Sequence, residues 1–388
     1  MGTAPHVLFA GGGSAGHLFP GLAVAEHLQR TMPQVEITFA GSGKTRERHT
    51  VRSAGFQYLN VPSQPAPHTP IQALRFVTDN VAGYCASRWM LREQQVSLVV
   101  GLGGYTSASV VRAAVARGIP IVLLEQNAIP DRTTRWLSRS AAMVCAAFEQ
   151  VRPHLHVQAP VTVTGNPVRP AFEQLFRRQS TPSSATTVPA ALPLLPRTQK
   201  RLVVLGGGGG ARSLNESVPA ALKRLGDQLH DWQIVHQTGE GQLQETQARY
   251  EQCGVNALAV TFIDEIASVL FASDLAVCRA GGTTLAELAL AGTPAVVVPF
   301  PQAADDHQTA NAKAVAAAGA CRMIDELSQE GALDAALARE IAPLLSEGQL
   351  RAEMARAMLR TARPQAAEEI AAVISDQLCG RTSGLFAA

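Results

Sequence analysis

Four short runs of this 388-residue chain combine glycine-rich backbone with a polar or titratable side chain just beyond. Gly11-x-Gly13-x-x-Gly16 is followed by His17, and Gly101-Leu102-Gly103-Gly104 by Tyr105. Five consecutive glycines, Gly206 to Gly210, precede Ala211, and Gly281-Gly282 opens the stretch Thr283-Thr284-Leu285-Ala286-Glu287. Amide N–H groups at a helix start, with no side chains in the way, hold anionic oxygens. Several such loops suit a reaction in which both reactants carry phosphate. His17, one residue past the last glycine of its loop, is a candidate general base. Glu287 reads two ways: Thr284-x-x-Glu287 has the spacing of a capping box, and a carboxylate there can also accept ribose hydroxyls. Asn127 and Gln308 carry amides suited to sugar hydroxyls, although His307 and Gln308 after Asp305-Asp306 also fit a solvated helix start. Arg169, just before Pro170, reads as a hinge ion pair or a nucleotide contact. His236 and Gln237 read as supports of a sheet edge.

Other phosphate chemistries fit less well. The first loop matches the dinucleotide fingerprint, but Glu36 stands at the start of the next strand, the wrong end to hold a ribose. No Gly-x-x-x-x-Gly-Lys-[Ser/Thr] run exists, which argues against a P-loop ATPase. No Asp-x-Asp exists either, so a metal-bridged sugar-nucleotide site has no obvious ligands. The reading therefore includes no metal and no cofactor. Six scattered cysteines without a Cys-x-x-Cys pair read as reduced, mostly buried thiols.

Each glycine loop follows a short β-rich run and precedes a segment of helical period, as with Leu18, Leu22, Ala25 and Leu28 after the first. Pro20 is read in the first turn of that helix, where a missing N–H costs little. Strands are predicted at 7–10, 36–40, 58–61, 97–100, 119–124, 142–147 and 161–164. A second set falls at 202–205, 234–237, 258–263, 275–278, 295–298 and 321–324. Short buried strands alternating with helices imply parallel sheets covered on both faces. Between the sets, 178–199 is rich in Ser, Thr and Pro and reads as a linker or surface loop. The prediction is two doubly wound α/β domains, 1–170 and 200–365, with parallel sheets facing an interdomain cleft. A helical tail at 366–388 docks on a domain that sequence does not specify. In such sheets the strands' carboxyl ends face one crevice, which brings the loops together.

Hydrophobic residues are 46% and charged residues 16%, enough apolar material for two cores and too much for a disordered chain. With 33 Lys plus Arg against 31 Asp plus Glu, the charge is +2, which argues against nucleic acid as the main partner. No apolar run approaches the roughly 18 residues of a membrane span, and no leader is evident. The expectation is a soluble, unexported protein able to touch a membrane surface. Leu74, Val77, Val81 and Cys85 recur at helical spacing, ordinarily a core face. Phe76 and Trp89 lie off that face with Arg75, Arg88 and Arg92 nearby, a composition suited to docking on lipid.

Ordered matches make the resemblance specific. Gly12-Gly13-Ser14-Ala15-Gly16-His17-Leu18-Phe19-Pro20-Gly21-Leu22-Ala23, Gly101–Ser107, Glu125-Gln126-Asn127 and Gly165-Asn166-Pro167-Val168-Arg169 are similar to segments of the MurG family. So are Gly206–Asn215, His236–Gly239, Phe262-Ile263-Asp264, Cys278–Glu287 and Asp306–Ala312. These bacterial enzymes transfer N-acetylglucosamine from its UDP derivative to undecaprenyl-pyrophosphoryl-MurNAc-pentapeptide, converting lipid I to lipid II in peptidoglycan synthesis. The resemblance spans about residues 6–320 and implies a GT-B fold, inversion at the anomeric carbon and no metal. It implies that Ile263 lies against uracil, that Glu287 accepts the ribose hydroxyls and that Gln308 holds the donor sugar. Arg169 and Gly282, Thr283, Thr284, Leu285 and Ala286 complete the nucleotide pocket, and Gly208 meets the donor phosphate. Ser14, Ala15, Gly16 and Asn127 reach the transferred sugar, and His17 activates the acceptor hydroxyl. Gly13, Gly103, Gly104 and Tyr105 hold the acceptor diphosphate. It further implies peripheral attachment to the cytoplasmic face of the plasma membrane, with cell-wall synthesis and division proteins as partners. Two departures stand out: Gly208-Gly209 replace the family's Ser-Gln, and Ala128-Ile129-Pro130 replaces a glycine-containing stretch. Alternatives are a catalytically silent UDP-sugar-binding scaffold or another GT-B enzyme such as a UDP-sugar epimerase.

Overall fold

The computed structural model describes residues 4–12, 15–65, 67, 69–156, 158–179, 199–328 and 333–380. Its contacts divide the chain into two units, Met1–Arg169 with Gln365–Ala388, and Pro170–Pro364. Most of the 178–199 stretch, residues 180–198, lies outside the described residues.

The first unit is built on seven parallel strands, β1 His6–Ala10, β2 Glu36–Gly41, β3 Gln57–Asn60, β4 Leu98–Gly101, β5 Ile121–Glu125, β6 Met143–Ala146 and β7 Val161–Val163. Its helices are α1 Ala15–Thr31, α2 Thr45–Ser53, α3 Pro70–Glu93, α4 Gly104–Val115 and α5 Arg132–Leu137. The sheet order is β3-β2-β1-β4-β5-β6-β7. Direction of winding therefore reverses between β1 and β4, whose last residues, Ala10 and Gly101, pair in register. Ligands in open α/β sheets bind at that switch point. The first two glycine loops leave from it. Side chains alternate across the sheet: Val7 and Phe9 enter one apolar cluster, Leu8 and Ala10 the other.

The second unit opens with α6 Pro170–Gln179, and its parallel sheet contains β8 Lys200–Leu205, β9 Trp232–Gln237, β10 Leu258–Val260, β11 Leu275–Cys278, β12 Ala295–Val297 and β13 Cys321–Met323. The helices following are α7 Arg212–Leu225, α8 Leu243–Cys253, α9 Ile266–Phe271, α10 Gly282–Ala291 and α11 His307–Ala317, then α12 Leu333–Ser346 and α13 Gly348–Thr361. The order β10-β9-β8-β11-β12-β13 reverses between β8 and β11, with Leu205 paired to Cys278. The third and fourth glycine loops leave from this second switch point.

The tail's position is now defined as far as residue 380; 381–388 lie outside the described residues. α14, Ala366–Leu378, packs on α1, and Ala367, Ile370, Ala371 and Ile374 join the core of the first unit. Two readings of local sequence change. Pro20 is the sixth residue of α1, not in its first turn. In α3 the stripe read as an ordinary core face points outward: Leu74 is 69% exposed, and Val77, Val81 and Cys85 are exposed too, as is Trp89, which the sequence places off that stripe. The buried side is made instead by Gly83, Ser87, Met90 and Leu91. A Cβ on Gly83 would lie 2.0 Å from the Pro62 carbonyl oxygen, so close backbone approach selects the small residues for the interior. Of the cysteines, Cys145, Cys278 and Cys321 are buried, while Cys85 and Cys379 are exposed.

Candidate active site

In the first unit the two loops pack backbone to backbone. A Cβ on Gly11 would lie 2.7 Å from Leu102 Cβ, and one on Gly104 would lie 2.9 Å from the Gly12 carbonyl oxygen. Gly104 also has φ of +76°, a conformation side chains resist. His17, the third residue of α1, stands at this junction: its Nε2 is 3.5 Å from the Cβ position of Gly103. Tyr105 is the second residue of α4 and half-buried. Gly13 and Ser14 lie outside the described residues; Ala15 and Gly16 open α1.

Beneath these loops lie carboxylates that the sequence reading did not single out. Glu125 ends β5 and is buried. Its Oε1 accepts the Asn127 backbone N–H at 3.0 Å and Nδ2 at 3.3 Å, and its Oε2 accepts the Asp131 N–H at 3.3 Å. Burial first, then the neighbouring Asp131, push the Glu125 carboxyl up to about 8. Asp131 caps α5, accepting the Thr134 N–H at 2.6 Å through Oδ1. Its Oδ2 accepts the Gly104 N–H at 2.9 Å. Glu47, on α2, accepts the Ser42 N–H at 3.1 Å and the Tyr58 hydroxyl at 3.0 Å, and its carboxylate fills the space beside Gly12. The one sequence signal for Asp131 was an Asp at a helix start; nothing local signalled Glu47. Arg169 stacks its guanidinium 4.9 Å from the Phe19 ring centroid, a cation–π contact.

In the second unit the five-glycine loop is a turn closed by Gly210 N–H to Gly207 O at 3.0 Å. Gln237 Nε2 donates to the same Gly207 carbonyl at 2.9 Å, so this residue shapes the loop. Gly210 has φ of +78°, and a Cβ there would be 2.1 Å from the Thr238 carbonyl oxygen. Around Gly209 a Cβ would meet nothing within 4 Å. Gly208 brings only backbone to the turn. His236 is structural: it is within hydrogen-bond distance of Tyr250 Oη at 2.8 Å and Asn215 Oδ1 at 2.9 Å, and burial pushes it down to about 3.

The fourth loop starts α10. The N-cap is Gly281, and Thr284 lies inside the helix, so the capping-box geometry predicted for Thr284 and Glu287 is not formed. The N–H groups of Gly282, Thr283 and Thr284 belong to the first turn, which has no intrahelical acceptors; that of Leu285 donates to Gly281 O at 3.0 Å. Glu287 is 4% exposed on the same helix, and Ala286 lies beside it. Gln308 Oε1 accepts the N–H groups of Ala280 at 3.2 Å and Phe300 at 2.9 Å, which orients its amide. Asn311 Nδ2 holds the Ala280 carbonyl at 3.0 Å. Asp305 and Asp306 approach Gln308 with φ of +52° and +55°, each costing on the order of 1 kcal/mol. Arg279 ties the region together through Ser213 Oγ at 2.7 Å, Glu326 Oε2 at 2.6 Å and the Val298 and Pro299 carbonyls. Ile263 is 1% exposed.

Two switch points, each flanked by glycine loops and helix starts, define a GT-B-type glycosyltransferase architecture. Residues 7–146 match the glycosyltransferase family 28 N-terminal domain and residues 201–370 its C-terminal domain. The chain is 38% identical over 98% of its length to the UDP-N-acetylglucosamine–N-acetylmuramyl-(pentapeptide) pyrophosphoryl-undecaprenol N-acetylglucosamine transferase of Anaeromyxobacter dehalogenans strain 2CP-1, covering 95% of that protein. It is 37% identical to the enzyme of that name from Methylococcus capsulatus, with 96% of this chain and 99% of the relative covered. Acinetobacter baumannii MurG has a solved structure with a TM-score of 0.70 at 29% identity, covering 96% of this chain and 99% of that one. A Neisseria meningitidis UDP-GlcNAc 2-epimerase shares the fold at a TM-score of 0.68 and 14% identity, covering 97% and 100%. The chain belongs to glycosyltransferase family 28, and within it to the MurG transferases.

Proposed function

We propose that this enzyme moves N-acetylglucosamine from UDP-N-acetylglucosamine to the 4-hydroxyl of MurNAc-pentapeptide on undecaprenyl pyrophosphate, forming lipid II from lipid I. Kinship across nearly the whole chain with transferases named for this reaction carries the reading. The second unit takes the donor. Amides of the third and fourth loops face the departing UDP, where negative charge grows as the glycosidic bond breaks, and preorganised donors there lower the barrier. Gly208 contributes its N–H alone. Thr283, Thr284 and Glu287 serve the phosphates and ribose, and Gln308, its oxygen held by two amides, presents Nε2 to the sugar. Ile263 lines the uracil pocket from behind.

The first unit takes the acceptor. Gly103, Gly104 and Tyr105 at the start of α4 receive its diphosphate, and His17 removes the proton from the attacking oxygen. That oxygen bonds to the anomeric carbon on the face opposite UDP, and UDP leaves with the electron pair, which inverts the configuration. The polyprenyl tail stays in the bilayer. The outward apolar face of α3, with Arg88 and Arg92 continuing it at helical spacing, meets the cytoplasmic membrane surface. No helix among the described residues is long and apolar enough to cross it. Steady-state kinetics with both substrates varied test the assignment of roles. His17→Ala should lower kcat by at least a hundredfold with donor KM within about threefold. Glu287→Gln should raise donor KM about tenfold and leave acceptor KM unchanged. The reverse pattern would refute the assignment.

A further inference from the structure

We propose that Asp131 is an internal competitor for the acceptor diphosphate: its carboxylate occupies the Gly104 amide that the diphosphate needs, and acceptor binding displaces it. This rests on the acceptor reading given above. Gly104 is the first residue of α4, and its N–H has no acceptor within the helix. Asp131 Oδ2 supplies one from 27 residues away, at 2.9 Å. The other oxygen caps α5 at Thr134, and the Asp131 backbone N–H is held by Glu125. The carboxylate is therefore carried to this spot by its own helix start.

The location matters for the chemistry. The Cβ position of Gly103 is 3.1 Å from Asp131 Oδ2 and 3.5 Å from His17 Nε2, so carboxylate and imidazole converge on one side of the second loop. An acceptor phosphate oxygen seated on the Gly104 amide would stand beside the proposed base. It would also stand against Asp131, and two anions at that range repel. Asp131 is only partly buried, which leaves its carboxylate a route toward solvent. The device favours a ligand whose linked phosphates and sugar offset the displacement, and it keeps free monophosphate out of the seat.

Two variants separate this role from simple capping. Asp131→Ser retains a good N-cap but is too short to reach Gly104; Asp131→Asn keeps the length but loses the charge, and its single acceptor oxygen serves either the cap or Gly104. The assay is transfer to a short-chain lipid I analogue, inhibited by inorganic pyrophosphate, with melting temperature recorded alongside. The expected result is an acceptor KM and a pyrophosphate inhibition constant about tenfold lower in Asp131→Ser, a smaller fall in Asp131→Asn, and donor KM unchanged. Unchanged or higher acceptor KM in both variants, with melting temperatures retained, would overturn the proposal and mean that Asp131 merely supports the loop. If pyrophosphate competes with acceptor in no form of the enzyme, the acceptor seat itself is misplaced and the proposal falls with it.

Discussion

Glu125 and the glycines show what single residues are asked to do. A carboxyl normally ionises near 4.5, but in the folded first unit Glu125 holds its proton up to about 8. Between those values the folded state binds more protons than the unfolded one, so stability falls as pH rises across that window. Thermal melts of the first unit should show that slope, and Glu125→Gln should flatten it; an identical slope in the variant would mean that another group titrates there. The five glycines of the third loop are not equivalent. Gly209→Ala should be tolerated and add about 0.4–1 kcal/mol by restricting the unfolded chain. Gly210→Ala, with no room and an unfavourable φ, should weaken UDP binding at least tenfold by calorimetry. At this scale sequence proposed His17, Asn127, Glu287 and Gln308 as site residues through the loops that carry them. It missed Asp131 and Glu47, because their partners at Gly104 and Gly12 are distant in the chain and only the fold brings them near.

Elements were the most legible level. Each of the thirteen strands in the described residues overlaps a run of β-branched and apolar residues visible in sequence, because buried parallel strands leave little else in their composition. Helix α3 was misread for a physical reason. Its interior face is set by how closely backbone can approach Gly83, and hydrophobicity alone points to the opposite side. The docking of α14 was equally invisible, since Ile370 and Ile374 fit an apolar groove on either unit equally well by pattern. Exposure of Leu74, Val77, Val81 and Trp89 together is the signature of a surface used for contact. In sedimentation with anionic vesicles, Leu74→Ser with Trp89→Ala should cut the bound fraction about tenfold. Arg88→Ala with Arg92→Ala should weaken binding about thirtyfold at low salt, at about 1 kcal/mol per basic residue. Binding unaffected by either pair would refute the proposed docking of α3 on the membrane.

For the whole molecule, two sheets of related winding each place two glycine loops at a switch point. The departure at Gly208-Gly209 keeps both backbone N–H groups, whereas Pro130 in the Ala128-Ile129-Pro130 stretch has none. The fold alone does not separate transfer from epimerisation, since a 2-epimerase shares it at a TM-score of 0.68. The reaction does. Incubation of the full chain with UDP-N-acetylglucosamine and a short-chain lipid I analogue in a chelating buffer should release UDP in equal amount to a β-linked disaccharide. Binding of UDP-sugar without disaccharide, or its conversion to the 2-epimer, would contradict the account.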